Sequence, residues 1–395
     1  MQRVALVHAV VRSGGATTRL AWWKDVLALS DIEVVAVPLI PEGRPPLPRG
    51  LGRAGAALAG SVALESLAWS RPVLRRRLDA MAPDGVVVVS LRAFDPAALP
   101  DGVPVVLDYV DRLSVSYQQR ALIEHRLLHR SGWRVLAGAM ARAESAARTT
   151  AMPAVAAGYR DADDLGAIWL PITLSTRRVV DELPGPVAGE HRWDVLFTGT
   201  LDYGPNIAAI RALTTSIWPE VVRLRPGSSL CVAGRRPTRE VIDLVQGMGA
   251  ELVPDFDDLG RLTTRAALSI APLPFATGMQ IKVLEAAAAG QPQVISPAAA
   301  AGFGPGFPAR VAEVGTPFAR QIVTLLDDRA AALELGRQGR DEVRRCYTDE
   351  HWAAMVRDLF GPPGIGADPS GPTDPAGPSD PTEPTDPPDP AGGQS

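Results

Sequence analysis

The chain has 395 residues, enough for two domains with an extension, and 46% of them are hydrophobic, enough to bury a full core in each. A net charge of −4 argues against a general nucleic-acid binder. Two cysteines, Cys231 and Cys346, argue against a disulfide framework or a cysteine-based zinc site and fit a reducing cytoplasm.

In chain order, residues 4–7 read as a strand, followed by Gly14-Gly15 and a helical pattern over 17–29. The apolar N-terminal run is too short for a secretory signal, and no apolar run approaches the ~20 residues that span a bilayer. Residues 33–37, 85–90 and 103–108 read as further strands. Val-rich runs separated by helix-sized segments predict a parallel sheet covered on both faces. Residues 168–172 are extended, and the breaker-rich stretch 181–189 marks a linker. The alternation then restarts, with strands at 194–198, 229–233, 267–271 and 293–296 and helices at 206–224 and 279–289. A helix over 352–360 closes the folded part. Residues 361–395, rich in Pro and Asp and without a basic residue, read as a disordered acidic tail. The fold class is therefore α/β, with two doubly wound domains facing a cleft. Residues 1–172 form the first domain, 173–190 the linker, 191–345 the second domain, 346–360 the closing helix and 361–395 the tail.

The stretch PLPFATGMQIKVLEAAAAG at 272–290 concentrates the chemistry. Lys282 is one of only two lysines among 40 basic residues, the other being Lys24. It lies early in a helix expected to begin at Gly278, where free amides and the dipole favour an anion. Glu285, at i+3, lies on roughly the same face and could accept two hydroxyls of a ribose. A solvated Lys–Glu pair on an ordinary amphipathic helix is the alternative reading. Asp108 and Asp111, at a strand end, are either turn-capping residues or cleft groups, with Asp111 contacting a sugar or acceptor hydroxyl. His8 reads as packing before catalysis. His125 and His129 share a helix face but lack a third ligand, so no metal site is expected. The stretch 60–78 is apolar with a basic end. It is either a core helix with a basic cap or a peripheral contact with an anionic membrane.

Three ordered segments resemble the donor domain of family 4 glycosyltransferases, which have the GT-B fold. They are VLFTGTLDYGPN at 195–206, LCVAGRRP at 230–237 and PLPFATGMQIKVLEAAAAGQPQVIS at 272–296. The segment IWLPI at 168–172 and YTDEHWAAMVRDLF at 347–360 resemble the family's linker and closing helix. In the first half, residues 7–23, 105–121 and 156–166 resemble the family less tightly.

The resemblance implies a retaining, metal-independent hexosyltransferase in the cytoplasm. It would need no cofactor beyond a nucleoside diphosphate sugar such as a UDP-sugar, and would act on an unidentified acceptor. That acceptor would belong to a cell-envelope glycan, a lipid-linked saccharide or a specialised metabolite. Glu285 would bind the ribose. Lys282 and Arg235 would neutralise the diphosphate, aided by amides of Gly278, Met279 and Gln280, and Asp111, Lys282 and Arg235 form the catalytic set. Gly15 and Gly199 would let backbone approach the donor, and Asn206 would cap or orient the first donor-domain helix. Thr277 stands where many members carry a second glutamate, and residues 199–206 lack the family's usual basic pair. A GT-B sugar-nucleotide epimerase and a catalytically weak binding partner are the alternatives that these departures leave open.

Overall fold

The computed structural model describes residues 2–9, 15–39, 63, 69–124, 126–150, 152–174, 191–256 and 262–360. Gly14, His125, residues 60–62 and 64–68 of the 60–78 stretch, most of the linker and the acidic tail lie outside the described residues.

Two six-stranded parallel sheets organise the molecule. The first has the order β2-β1-β3-β4-β5-β6, from β1 (Arg3–Ala9), β2 (Glu33–Leu39), β3 (Gly85–Val89), β4 (Val105–Asp108), β5 (Ala154–Ala156) and β6 (Ile168–Trp169). The second has the order β12-β11-β10-β7-β8-β9, from β7 (Trp193–Thr198), β8 (Leu230–Gly234), β9 (Glu251–Pro254), β10 (Ala266–Ala271), β11 (Gln293–Ile295) and β12 (Arg310–Val311). Read within its own domain, this is the Rossmann strand order, with its switch point between β7 and β10. Both Gly85–Val89 and Leu230–Gly234 are buried along their whole length. Helices cover both faces, so these strands carry continuous apolar runs rather than alternation.

The helices of the first domain are α1 (Gly15–Ala28), α2 (Arg71–Met81), α3 (Leu113–Ile123), α4 (Leu127–Arg148) and α5 (Tyr159–Leu165). Those of the second are α6 (Gly204–Ala212), α7 (Trp218–Leu224), α8 (Arg239–Gly247), α9 (Ile281–Ala288), α10 (Pro297–Ala300), α11 (Thr316–Asp327), α12 (Arg329–Cys346) and α13 (Asp349–Asp358).

The single helix expected over 206–224 is interrupted by a π-turn at Leu213–Ile217. Pro219, at the start of the next segment, lacks an amide and crowds the preceding turn. The hydroxyls of Thr214, Thr215 and Ser216 each donate to the carbonyl four residues back, at 2.9, 2.9 and 3.1 Å. These bonds occupy carbonyls along the widened turn.

Helix α13 lies against the first domain. Ser30 Oγ donates to Ala353 O at 3.4 Å, and a Cβ on Gly85 would sit 2.7 Å from the Phe360 ring. At the crossing, Thr173 Oγ1 accepts from the Trp22 indole and donates to Asp349 Oδ1. Trp169 packs edge-on against Tyr159, Tyr347 and Trp352, so both domains and the closing helix share one aromatic seam. No helix among the described residues is long and apolar enough to cross a membrane.

Beside that seam lies a buried ion pair. Arg19 Nε donates to Asp108 Oδ2 at 2.6 Å, and both side chains are 0% exposed. Arg19 Nη1 donates to Pro171 O at 2.9 Å, Trp23 Nε1 donates to the same Asp108 oxygen at 2.6 Å, and the guanidinium lies over the Trp22 ring. Burial lowers the Arg19 pKa despite the adjacent carboxylate. Asp108 thus belongs to the core and not to the cleft. Removing one partner leaves an uncompensated buried charge, so Arg19→Leu is expected to cost about 3–5 kcal/mol. Chemical denaturation measures it, and a loss below about 1 kcal/mol would show that the pair is not structural.

Candidate active site

Loops leaving the carboxyl ends of β4, β5, β7 and β10 meet between the domains, where open parallel sheets bind ligands. Thr277 Oγ1 donates to Asp111 Oδ2 at 3.3 Å, and the Gly278 amide donates to Asp161 Oδ2 at 2.7 Å. Gln119 Nε2 donates to Ala276 O at 3.3 Å. The amides of Tyr159 and Arg160 donate to the carbonyls of Gly302 and Ala301 at 3.1 and 3.0 Å. Glycines permit this approach: a Cβ on Gly158 would lie 3.1 Å from Gly278, and one on Gly302 only 2.5 Å from the Gly278 carbonyl oxygen.

Lys282 is the centre of the second-domain wall. Its Nζ donates to Asn206 Oδ1 at 2.6 Å and lies 4.4 Å from the centre of the Phe197 ring. The Asn206 amide in turn donates to Thr200 O at 2.9 Å, which fixes which end meets the lysine. Among the described residues no carboxylate pairs with Lys282. Shielded from water without a counter-charge, the ammonium falls to about 7. The solvated Lys–Glu reading is therefore set aside. Asn206 does not cap the helix. Tyr203 holds the cap position, and Asn206 sits buried inside α6, bound to the lysine. Two glycines make room for it. A Cβ on Gly199 would stand 2.7 Å from the Asn206 amide nitrogen, and one on Gly234 would stand 1.8 Å from the Gly199 carbonyl oxygen.

Helix α9 starts at Ile281, three residues later than expected, because Gly278 has φ +64° and belongs to the loop. Its amide faces Asp161, so it is not open to an anion in this arrangement. The amides of Met279, Gln280, Ile281 and Lys282 have no acceptor among the described residues. Gln280 Nε2 donates back to Thr277 O at 3.1 Å. Glu285 is half-buried, and burial raises its carboxyl to about 7 against the pull of Arg235. Arg235 is exposed, and its carbonyl accepts from the Leu201 amide at 2.8 Å. Gly15 is the first residue of α1.

On the opposite wall, Asp111 stands on a strained turn. Val110 has φ +66°, an outlier for a β-branched residue, and the Asp111 amide donates to Tyr109 O at 2.7 Å across it. Asp108 Oδ1 secures the turn by accepting from the Val110 amide at 2.8 Å. Burial raises the Asp111 carboxyl to about 6, opposed by the charge of Arg92.

Arg92, Tyr117 and Tyr203 were not identified from the sequence. Arg92 follows another strained residue, Ser90 at φ +75°, and donates to the Tyr117 hydroxyl at 3.2 and 3.0 Å. Tyr203 faces the cleft from the start of α6; burial of its hydroxyl and the Asp111 charge raise its pKa. Tyr117 and Tyr203 lie within the segments 105–121 and 195–206, but nothing in those segments marks them as cleft residues, and Arg92 lies in none of them.

The remaining candidates stand aside. His8 is half-buried with Nδ1 3.2 Å from Ala9 O, and His129 lies 3.7 Å from Glu124. No cluster of three metal-ligating side chains occurs among the described residues.

Two facing Rossmann-type domains, a cleft between them and a closing helix that returns to the first domain define a GT-B fold. Residues 192–328 match the family model of glycosyl transferases group 1, and the second domain is that of a group 1 glycosyltransferase. Several solved structures share the fold. Sucrose-phosphate synthase from Thermosynechococcus elongatus aligns at TM-score 0.64 and 15% identity, over 91% of this chain and 98% of that one. HepE from Anabaena, in complex with UDP, aligns at TM-score 0.57 and 13% identity, over 91% and 99%. A glycosyltransferase involved in avilamycin A biosynthesis aligns at TM-score 0.55 and 17% identity, over 91% and 97%. No curated protein sequence matches the chain.

The cleft groups leave a signature in stability. Folded Asp111, raised to about 6, keeps a proton that the unfolded chain releases near 4, so its contribution to stability falls as pH rises between these values. Asp111→Asn is therefore expected to raise the thermal midpoint at pH 8 and to lose that gain below about pH 4. Lys282 runs the other way. Between about 7 and 10.5 the unfolded lysine holds a proton that the folded one has lost, so this contribution to stability rises with pH. Lys282→Met should raise the midpoint more at pH 6 than at pH 10. Scanning calorimetry reads both, and a lowered midpoint for either variant at neutral pH would contradict burial as the dominant cause.

Proposed function

We propose that the protein transfers a hexose-like sugar from a nucleoside diphosphate sugar to an acceptor bound in the interdomain cleft. The transfer retains the anomeric configuration, uses no essential metal and no further cofactor, and takes place in the cytoplasm. The observation that carries this reading is Lys282: an ammonium held by a neutral amide, at the open end of a helix, with no negative charge of its own. A bound diphosphate supplies the missing charge.

Departure of the nucleoside diphosphate builds negative charge on the phosphate oxygens. The Lys282 ammonium, the Arg235 guanidinium and the amides at the start of α9 are oriented before the reaction and stabilise that charge as it develops. A diphosphate close to Lys282 raises its pKa again, so donor binding takes up a proton near neutral pH. Glu285, one turn further along α9, accepts from the ribose hydroxyls in its ionised form. Gly199 and Gly15 keep the two walls low enough for the donor to approach.

Thr277 stands at the sugar end of the loop, and Asp111 opposite it accepts from a sugar or acceptor hydroxyl. Anabaena HepE was solved with UDP and with UDP-glucose, and the shared fold favours a UDP-sugar as the donor here.

Lys282→Ala is expected to lower turnover by about 100-fold or more with a smaller effect on UDP affinity. Glu285→Ala should chiefly weaken UDP binding, by roughly 1–3 kcal/mol. Lys282→Arg is expected not to restore turnover, because a planar fork cannot replace a compact ammonium between Asn206 and the Phe197 ring. Titration calorimetry with UDP and steady-state transfer assays separate these effects. A thermal-shift panel of nucleoside diphosphate sugars identifies the donor by the largest rise in midpoint. Wild-type turnover in both alanine variants would place the active site elsewhere.

A further inference from the structure

Where α3 turns into α4, the first domain exposes a cluster of aliphatic side chains. Leu122, Leu127, Leu128 and Val135 are 72%, 74%, 88% and 68% exposed. Leu127 and Leu128 open the helix and Val135 follows two turns later on the same side. Farther along, the helix is anchored by buried Ala137, Met140, Ala143 and Ala147, so its first turns project as a fixed ridge. Single exposed leucines need no explanation, but four at one corner mark a contact surface.

The charges along residues 126–143 have one sign. Residues 126–143 contain four arginines, one histidine and no Asp or Glu. Arg126, Arg134 and Arg142 make no ion pair among the described residues. Glu124, the nearest acid in the sequence, is partly exposed, accepts from the Arg126 amide at 2.9 Å and lies 3.7 Å from His129 Nδ1. Three of the four arginines of α2 are engaged within the domain. Arg71 is bound to Asp95, Arg75 to Asp79 and Asp101, and Arg77 donates to Pro38 O. Arg76 is exposed and makes no ion pair among the described residues, so the basic end of the 60–78 stretch is only partly engaged within the domain.

We propose that the α3–α4 corner docks on an anionic lipid bilayer, with Leu122, Leu127, Leu128 and Val135 entering the interface and Arg126 and Arg134 reaching phosphate headgroups. Long arginine stems lie along the apolar surface while their heads meet the anionic layer. A second copy of the chain fits less well. A two-fold contact through this patch would set its arginines against their own counterparts.

The position also matters. Ile123 packs on Gly204, 2.7 Å from where a Cβ would stand, and Gln119 bonds to the donor-domain loop at Ala276. The ridge therefore flanks the cleft mouth. On the transferase reading, docking there presents the cleft to an acceptor carried on a membrane lipid.

Vesicle flotation of the full chain tests the surface, using phosphatidylcholine alone and phosphatidylcholine mixed with phosphatidylglycerol, at low and high salt. The wild type is expected to float with the anionic vesicles and to lose part of this binding at high salt. The double variant Leu127→Glu/Leu128→Glu should reduce flotation about tenfold or more while its circular-dichroism melting and UDP binding stay unchanged. Indifference of the wild type to phosphatidylglycerol, or equal flotation of the double variant, overturns the proposal. So does a dimer in sedimentation equilibrium that the double variant dissolves without any vesicle binding. A wild type that binds UDP but ignores anionic vesicles refutes the membrane surface alone and leaves the transferase reading in place.

Discussion

A positive charge sits in the cleft with no carboxylate paired to it among the described residues, and much of the second domain is arranged around that fact. Lys282 is kept in place by one amide oxygen and one aromatic face. Asn206 can serve it only because the strand ends beneath carry glycine. At Gly199 a side chain would strike Asn206, and at Gly234 it would strike the Gly199 carbonyl. A carboxylate in Asn206's place would satisfy the lysine more strongly, but it would also cancel the field that an anionic ligand needs. The neutral partner orients the ammonium and leaves its charge available.

The first domain answers with a different kind of tension. Asp111 is presented by Val110 in a left-handed conformation, and Arg92 follows Ser90 in another. Such residues persist only where the surroundings over-determine them. Here the surroundings are the buried Arg19–Asp108 pair. One oxygen of Asp108 takes Arg19 and Trp23, and the other takes the Val110 amide. The same carboxylate thus ties α1 and the linker carbonyl of Pro171, through Arg19, to the turn that carries Asp111. Core and cleft are joined by a single side chain.

The loops that face each other across the cleft are joined by both side-chain and backbone hydrogen bonds. Asp161 on the Gly278 amide, and two α5 amides on the carbonyls of residues 301 and 302, hold the loops together where Gly158, Gly278 and Gly302 allow them to meet. Asp161 occupies an amide at the edge of the donor loop, and burial raises its carboxyl pKa, opposed by its bonds to the Gly278 and Arg112 amides. A carboxylate that caps a loop amide in this way stands where an incoming anion would compete with it.

Much of the architecture could be read from the residues themselves. Val-rich runs, glycine punctuation and the ordered second-half motifs specify two parallel sheets, because strands buried on both faces must be continuously apolar and their turns must be tight. Lys282 and Glu285 stood out because their spacing on a helix is local information. Asn206 stands near a helix start, and whether such a residue caps the helix or serves another group depends on a distant partner, here Lys282. Arg92 has no local signal, and Tyr117 and Tyr203 are not distinguished within the segments that contain them.

What the sequence by itself determined was therefore the succession of elements, the anion-favouring helix and the presence of a lysine where arginine is the rule. The tertiary structure alone decided which of the two aspartates, 108 or 111, faces the cleft, that Lys282 meets an amide oxygen with no carboxylate partner among the described residues, and that Arg134 and Arg142 on α4 make no ion pair among the described residues while Arg71 and Arg75 on α2 do. The reason is physical: burial and charge pairing depend on which residues far apart in the chain are brought within a few ångströms, and periodicity carries no record of that.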